Sequence, residues 1–237
     1  MSDFFELWEN GPLFRQAEHF KIGTDSILLS DYVNLSSAKK GIDLGCASGI
    51  ITLLLLQRSE KLSMTGLEIN GRACEIAREN MEINGFGDKG RIICGDIREH
   101  RTLFTAGSFD LAVANPPYFP VGSGTEAPDA DRAAARGEAR CTLADICRAA
   151  SFLLKTGGSF CLVHRCERLS EVFCTMSKYG IEPKRLRLVQ QKAASAPCLI
   201  LVEGRRGGRA GLKIMPPLIL SNSDGTESDE YKRIYHR

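Results

Sequence analysis

The chain has 237 residues, of which 43% are hydrophobic and 25% are charged, as is usual for a globular domain. Its net charge of +2 hides an asymmetry, because residues 178–237 carry 12 Lys and Arg against 6 Asp and Glu. The longest clear apolar run, Ile50 to Leu56, is much shorter than the ~18 residues of a membrane-spanning helix, and the acidic N-terminus is unlike a signal peptide. Nine scattered cysteines without a Cys-x-x-Cys pair indicate reduced thiols rather than a zinc site. We therefore expect a cytoplasmic protein without a metal or a membrane segment.

The predicted elements alternate between strands and helices along most of the chain. Residues 1–23 predict irregular structure or short strands, and Thr24-Asp25-Ser26 predicts the cap of a helix that ends near Asn34. Apolar runs predict strands over residues 41–44, 62–67, 91–94, 109–114, 159–163, 186–190 and 199–202. Amphipathic or apolar runs predict helices over residues 50–58, 71–83, 143–154 and 168–179. Two segments interrupt this rhythm: residues 119–140, and the Gly- and Arg-rich tail from residue 204.

This alternation indicates an α/β fold with a doubly wound, mostly parallel sheet of seven strands, because continuous apolar strands are buried on both faces. We expect a single domain, divided into an N-terminal extension (1–38), a core (39–204) and a basic C-terminal appendage (205–237). Ligands of open α/β sheets bind outside the carboxyl ends of the strands. Residues at the predicted strand ends are therefore the candidates for a site.

Four successive predicted strands end in side chains that can accept hydrogen bonds: Asp43, Glu68, Asp96 and Asn115. The loop after the first strand is built from small residues that let a ligand approach the backbone closely: Gly45, Cys46, Ala47 and Gly49. Glu68 can accept from both hydroxyls of a ribose, and Asp96 can accept from an adenine amine. Ile69 and Ile97, which follow these acids, complete the predicted cofactor-binding set.

Two cofactors compete for such a loop. A dinucleotide fingerprint requires Gly-x-Gly-x-x-Gly, but the second and third glycine positions here hold Ala47 and Ile50. S-adenosylmethionine has no phosphates and needs only a tight small-residue loop and the two acids. The pattern of four strand ends therefore favours S-adenosylmethionine.

The fourth strand ends in Asn115-Pro116-Pro117-Tyr118, which we take as the candidate catalytic motif. The Asn115 oxygen and the Pro116 carbonyl can accept from the two hydrogens of a planar amine. The prolines fix φ, and Tyr118 offers a flat face on which a planar substrate can stack. Taken alone, the same four residues also fit a turn that merely ends a strand.

These strand ends resemble those of class I S-adenosylmethionine-dependent methyltransferases, whose Asn-Pro-Pro-Tyr members act on exocyclic or amide nitrogens. Over nearly the whole chain, the sequence also resembles the bacterial tRNA1(Val) (adenine-N(6))-methyltransferase family. This resemblance is carried by Gln16, Phe20 and residues 23–29, 136–138, 183–186 and 215–218. That family modifies the adenosine 3′ of the anticodon in a valine tRNA.

The resemblance implies cofactor or catalytic roles at Asp43, Gly45, Glu68, Asp96 and Asn115, and a Thr24-Asp25 segment lying over the cofactor. The family usually has a second glycine where this chain has Ala47, whose methyl group is expected to weaken donor binding. The tail after Leu220 follows the family pattern only loosely.

The basic C-terminal part predicts a tRNA-binding face, since phosphates dominate affinity for nucleic acids. The predicted RNA-binding residues are Arg132, Arg136, Lys184, Arg185, Arg205, Arg206 and Arg209, with Arg140, Arg187 and Lys213 as further candidates. We expect no obligate protein partner.

Two alternatives stay open from the sequence. A protein-glutamine N5-methyltransferase acting on a release factor uses the same tetrapeptide, although such enzymes usually carry a helical N-terminal domain and only 42 residues precede Asp43 here. A cofactor-binding scaffold without catalysis is the other alternative. DNA amino-methyltransferases are disfavoured, because they generally need a large target-recognition domain.

Overall fold

The computed structural model describes residues 4–17, 22–116 and 141–237. Its strands are β1 (Phe5–Glu6), β2 (Leu13–Phe14), β3 (Lys40–Leu44), β4 (Ser63–Glu68), β5 (Gly90–Cys94), β6 (Phe109–Ala114), β7 (Leu154–Arg165), β8 (Ile181–Gln190), β9 (Pro197–Arg206), β10 (Lys213–Ile214) and β11 (Leu218–Ile219). Its α-helices are α1 (Thr24–Tyr32), α2 (Ile50–Gln57), α3 (Gly71–Ile83), α4 (His100–Leu103), α5 (Leu143–Leu153), α6 (Leu169–Lys178) and α7 (Asp229–Ile234). Short 3₁₀ turns precede α4 and α6.

The main sheet has the order β10-β8-β9-β7-β6-β3-β4-β5, and β11 also pairs with β8. Strands β3 to β7 are mutually parallel, whereas β9 is antiparallel to both β7 and β8. The predicted doubly wound, mostly parallel sheet is thereby confirmed. The seven predicted strands form its body, and the two-residue strands β10 and β11 extend it beyond β8.

Two apolar clusters cover the two faces of this sheet. One packs the sheet against α1, α2 and α3, and it includes Leu29 and Leu53, which are fully buried. The other packs it against α5 and α6, and it includes Leu162 and Met176. Helix α2 is buried from Ile50 to Leu56, which explains why this run is apolar on every side. In the described residues, no helix is long and apolar enough to cross a bilayer.

The strand register brings the ends of β3, β4, β5 and β6 to one side of the sheet, here called the carboxyl edge. Asp43 lies opposite Gly66 on one neighbouring strand and opposite Val113 on the other. Glu68 lies opposite Cys94. The loops that follow these strands therefore meet at the same edge, although they are far apart in the sequence.

The structure corrects two details of the sequence prediction. Helix α1 is capped by Gly23 without a side-chain hydrogen bond, so Thr24, Asp25 and Ser26 lie within its first turn instead of capping it. No element is predicted after residue 204, whereas the tail forms β10, β11 and α7. Arg233 of α7 forms an ion pair with Asp31 of α1 at 2.9 Å, which ties the tail to the N-terminal part.

Candidate active site

The loop after β3 has a tight backbone that leaves room above it. Gly45 has φ of +82° and Gly49 has φ of +82°, a region that strongly favours glycine. The Gly45 amide donates to the Leu67 carbonyl at 2.8 Å. A Cβ added at Gly45 would meet only Ile97 Cδ1, at 3.9 Å. Gly45 therefore offers its exposed backbone to a ligand and lies near the end of β5.

Ala47 lies in this loop with φ of +47°, which is unusual for a residue with a side chain. Its amide donates to Glu68 Oε2 at 2.9 Å. A left-handed conformation costs an L-residue roughly 1–2 kcal/mol, so Ala47 stores strain at the position where the resembled family usually has glycine.

Glu68 connects two segments of the carboxyl edge. Besides the Ala47 amide, its carboxylate accepts from the amide of Asn70 at 2.8 Å. Asn70 in turn caps α3 by accepting from Ala73. Each carboxylate oxygen has a second lone pair. Glu68 can therefore accept from ligand hydroxyls while it holds both backbone segments.

Asp43 lies beneath the loop, and none of its surface is exposed. Its Oδ2 accepts from the Thr52 hydroxyl at 3.0 Å, and its buried Oδ1 has no hydrogen-bond partner among the described residues. Burial raises the pKa of Asp43 from its ordinary 3.8 to about 7, and the Thr52 hydrogen bonds offset only part of this effect. The structure thus places Asp43 as a buried acid under the loop and not on the surface that a ligand would touch.

Asp96 follows β5 and is held in place by Arg98. Its Oδ1 accepts from the Arg98 amide at 2.8 Å, and both of its oxygens accept from the Arg98 guanidinium at 3.0 Å. Ile69 is 50% exposed and Ile97 is partly exposed, so the same edge also presents apolar surface. This combination of an acceptor and aliphatic surface fits a planar nucleobase.

The residues that follow β6 complete the edge. Asn115 is partly buried, and its Nδ2 donates to the Ser26 hydroxyl oxygen at 2.9 Å. Pro116 is buried beside it. Pro117 and Tyr118 lie outside the described residues, as do Arg132, Arg136 and Arg140.

The first turn of α1 contacts the carboxyl edge at Asn115. Ser26 is 7% exposed and reaches Asn115. Asp25 lies partly buried in the first turn of the helix. The start of α1 therefore lies next to the candidate catalytic residue.

Sequence reasoning missed two residues that organise the site. Ser26 was read only as part of a helix cap. Asn80 is fully buried in α3, and its side chain binds the backbone of Arg15 at 2.7 and 2.8 Å and the carbonyl of Ser48 at 2.8 Å. It thereby holds the N-terminal segment against the loop. The sequence offers one signal for Asn80, which is a polar residue on the otherwise apolar buried face of α3. That signal does not reveal which residues Asn80 binds.

Two of the predicted RNA-binding residues are engaged within the fold. Arg185 pairs with Glu203 at 2.9 Å, lies over the Tyr32 ring at 4.1 Å and donates to the Tyr32 carbonyl at 2.6 Å. Arg187 pairs with Glu230 at 2.7 Å, with only 13% of its side chain exposed. These contacts join β8 to α1 and α7, so both arginines serve the tertiary structure.

Among the described residues, Arg205 and Arg206 lie away from the carboxyl edge. Arg205 lies opposite Ser159, which lies opposite Leu111. Leu111 lies four residues before Asn115 on the same strand. Arg205 is therefore displaced from Asn115 by about 13 Å along the strand direction. Arg206 donates to the Leu154 carbonyl, and Lys184 donates to the Arg209 carbonyl at 3.0 Å. Arg209 itself is exposed, as is Lys213.

No cluster of three His, Cys, Asp or Glu suited to a metal occurs within the described ranges.

Comparisons with known proteins agree with this geometry. The methyltransferase small domain model matches residues 16–177. The chain is 30% identical over 202 residues to a tRNA1(Val) (adenine(37)-N6)-methyltransferase from Bacteroides fragilis, covering 85% of this chain and 84% of that protein. It is 32% identical over 222 residues to the protein of the same name from Porphyromonas gingivalis, covering 90% of this chain and 86% of that one.

Among solved structures, a predicted O-methyltransferase from Agrobacterium tumefaciens superposes with a TM-score of 0.74 at 20% identity, covering 90% of this chain and 96% of that one. A geranyl diphosphate methyltransferase in complex with S-adenosylmethionine superposes with a TM-score of 0.55 at 13% identity, covering 76% and 84%. At these identities the likeness concerns the fold alone. The family model and the two curated relatives confirm the predicted enzyme class: the chain is a methyltransferase of the methyltransferase small domain family, and it belongs with the tRNA1(Val) (adenine(37)-N6)-methyltransferases.

Proposed function

We propose that this enzyme uses S-adenosylmethionine to methylate the exocyclic N6 amine of an adenosine in tRNA, next to the anticodon of a valine tRNA. The observation that carries the proposal is the place of Asn115 and Pro116, at the end of β6 and on the same edge as Glu68 and Asp96. The names of the Bacteroides and Porphyromonas relatives support the choice of tRNA and of the adenine at position 37.

The residues at the carboxyl edge fit the parts of the methyl donor. Gly45 leaves its backbone open for close approach, and Glu68 has lone pairs available for the ribose hydroxyls. We propose that Asp96 accepts from the adenine amine of the donor, while Ile69 and Ile97 contact the flat base. When bound, S-adenosylmethionine supplies an electrophilic methyl group on a positively charged sulfur.

We propose that Asn115 and Pro116 hold the acceptor nitrogen. The Asn115 oxygen and the Pro116 carbonyl accept from the two N6 hydrogens, and Tyr118 stacks on the base. This would direct the nitrogen lone pair towards the methyl group that a bound donor would supply, with the thioether as the leaving group. The methylated nitrogen is briefly cationic and strongly acidic, so it releases its proton to water. The gain comes from orientation and electrostatics, and no general base is required.

The target adenine must leave its stack to reach this edge. Of the predicted cations, we retain the exposed Arg209 and Lys213 as proposed phosphate contacts, since Arg185 and Arg187 are engaged within the fold. Arg132 and Arg136 remain proposed contacts from their position after the catalytic motif. A tRNA substrate and nine free cysteines favour a cytoplasmic location.

The proposal is tested with labelled S-adenosylmethionine and an unmodified transcript of a valine tRNA. A transcript with guanosine at position 37 is the matched control, because it differs only in the proposed target. We expect label in the first transcript alone, and mass mapping should identify N6-methyladenosine at position 37. Equal label in both transcripts would overturn the position.

Two further arms separate the alternatives. A release factor and double-stranded DNA are incubated under the same conditions. Label in the release factor alone would replace the proposal with glutamine methylation. Bound donor without label in any acceptor would leave only the scaffold alternative.

A further inference from the structure

The hydrogen bond between Ser26 and Asn115 joins α1 to the end of β6 across 89 residues of sequence. Ser26 is buried, and its hydroxyl oxygen accepts from Asn115 Nδ2 at 2.9 Å. With Nδ2 turned towards Ser26, the carbonyl oxygen of the same amide lies on the other side of the side chain. That oxygen is the atom on which the proposed reaction depends.

Helix α1 is firmly held, so Ser26 is a fixed partner. Leu28 and Leu29 are buried in the core, and the Tyr32 hydroxyl donates to the Arg185 carbonyl at 2.8 Å. Arg185 returns a hydrogen bond to the Tyr32 carbonyl at 2.6 Å. The helix therefore docks on β8 at its C-terminal end and presents Ser26 at its N-terminal end.

An asparagine amide needs such a partner if it is to act as an oriented acceptor. The terminal torsion of asparagine is broad and roughly two-fold, so rotation about it exchanges the oxygen and the NH2 group at little intrinsic cost. The buried Ser26 hydroxyl restricts the plane of the amide, because its hydrogen bond to the amide is lost at intermediate torsions.

We infer that Ser26 is a positioning residue for methyl transfer, acting through the amide of Asn115. The inference rests on the proposed function, because it concerns the same acceptor nitrogen. Ser26 does not touch the substrate. It holds the plane of the Asn115 amide in one orientation.

The experiment compares Ser26→Ala with Ser30→Ala. Ser30 is the matched control, because it is buried on the same helix and its hydroxyl donates to the Ser26 carbonyl at 2.7 Å without reaching Asn115. For Ser26→Ala we expect kcat on the valine tRNA to fall roughly 10-fold, since small misplacements of reacting groups are costly. The KM for tRNA and the Kd for S-adenosylhomocysteine should stay within two-fold. Ser30→Ala should keep kcat within two-fold. An equal loss in both variants, or no loss in Ser26→Ala, would refute the role.

A conservative variant and a double variant exclude a general effect on folding. Ser26→Cys keeps the size of the side chain and a weak hydrogen-bonding group, so it should recover part of the lost kcat even if Ser26→Ala is less stable. In single-turnover assays, adding Ser26→Ala to Asn115→Ala should cause no further loss, because the positioned amide is already absent. A full additional 10-fold loss in the double variant would show that Ser26 acts independently of Asn115.

A crystal structure of Ser26→Ala with S-adenosylhomocysteine tests the inference without turnover. We expect the Asn115 amide to be rotated or to occupy two orientations. An unchanged single orientation would overturn the inference, whether or not tRNA is the substrate. Failure of the wild-type enzyme to methylate any tRNA would instead overturn the proposed function. The crystal structure of Ser26→Ala would still decide whether Ser26 orients the Asn115 amide.

Discussion

The Glu68 carboxylate accepts a hydrogen bond from the Ala47 amide at 2.9 Å, although 21 residues separate the two in sequence. This contact joins the end of β4 to the loop after β3. The same carboxylate also holds the Asn70 amide. The proposed ribose-binding acid is therefore also the brace that shapes the donor loop, so changing it should affect both tasks.

Glu68→Gln should weaken donor binding by about 10- to 100-fold, because a hydrogen bond to a charged group contributes about 1.5–3 kcal/mol. The amide introduced by Glu68→Gln would also place its NH2 group against the backbone N–H of either Ala47 or Asn70, which are both donors. Isothermal titration with S-adenosylhomocysteine measures the loss. Glu75→Gln is the control, since its exposed carboxylate only pairs with Arg72 on the surface of α3. Unchanged affinity in Glu68→Gln would remove Glu68 from the donor site.

Asn115→Ala should bind the donor with wild-type affinity and methylate tRNA at least 100-fold more slowly. The reason is that the lost interaction is made with the reacting amine, so it is expressed in turnover rather than in donor binding. Single-turnover rates and donor titration provide the two measurements. Full activity in this variant would contradict the assigned catalytic role.

Ala47→Gly should stabilise the protein by about 0.5–1 kcal/mol, because glycine relieves the positive φ while it gains some freedom in the unfolded chain. Removing the methyl group should also tighten donor binding.

Gly49→Ala adds a methyl group to the same loop and should have the opposite effect on stability. Its added Cβ would lie 3.2 Å from the Ala77 Cβ at φ of +82°, so it should destabilise the protein. Denaturant unfolding measures both, and a less stable Ala47→Gly would contradict the strain argument.

Asp43 should make stability fall as the pH rises. Its pKa is about 7 in the folded protein and close to 3.8 in the unfolded chain. Below pH 3.8 both states hold the proton, and between 3.8 and 7 only the folded state does. Ionisation therefore favours the unfolded chain increasingly until the pH exceeds 7.

Asp43→Asn cannot ionise at this position and should escape this loss. Relative to the wild type, its unfolding free energy should rise by roughly 2–3 kcal/mol between pH 5 and pH 8. Comparing the two proteins at each pH cancels the other titrating groups. A constant difference across this range would show that Asp43 is ionised at both pH values.

Binding of tRNA should weaken steeply as salt increases, because counterions are released from phosphates. If Arg209 and Lys213 each contact a phosphate, the double variant Arg209→Ala/Lys213→Ala should reduce the slope of log K against log salt by about 2. Lys61→Ala is the control, since it is an exposed cation that precedes β4 at the opposite edge. Filter binding at several salt concentrations gives the slopes, and an identical slope in the double variant would exclude both residues as phosphate contacts.

The order of strands and helices and the acids at the strand ends could be predicted from the amino-acid pattern. Buried strands such as β6 need continuous apolar residues, and the carboxyl ends of parallel strands share one edge, so Glu68, Asp96 and Asn115 could be assigned to a common edge from their spacing alone.

The partners of each side chain and the direction of β9 became known from the folded structure. An apolar strand has the same pattern in either direction, so nothing in the sequence showed that β9 runs antiparallel and carries Arg205 away from Asn115. Likewise, Ser26 lies 89 residues before Asn115, and a serine in a first helical turn usually caps the helix. Gly23 took the cap position, and the docking of α1 on the sheet brought the Ser26 hydroxyl to the catalytic amide, because long-range packing selects partners that local patterns do not encode.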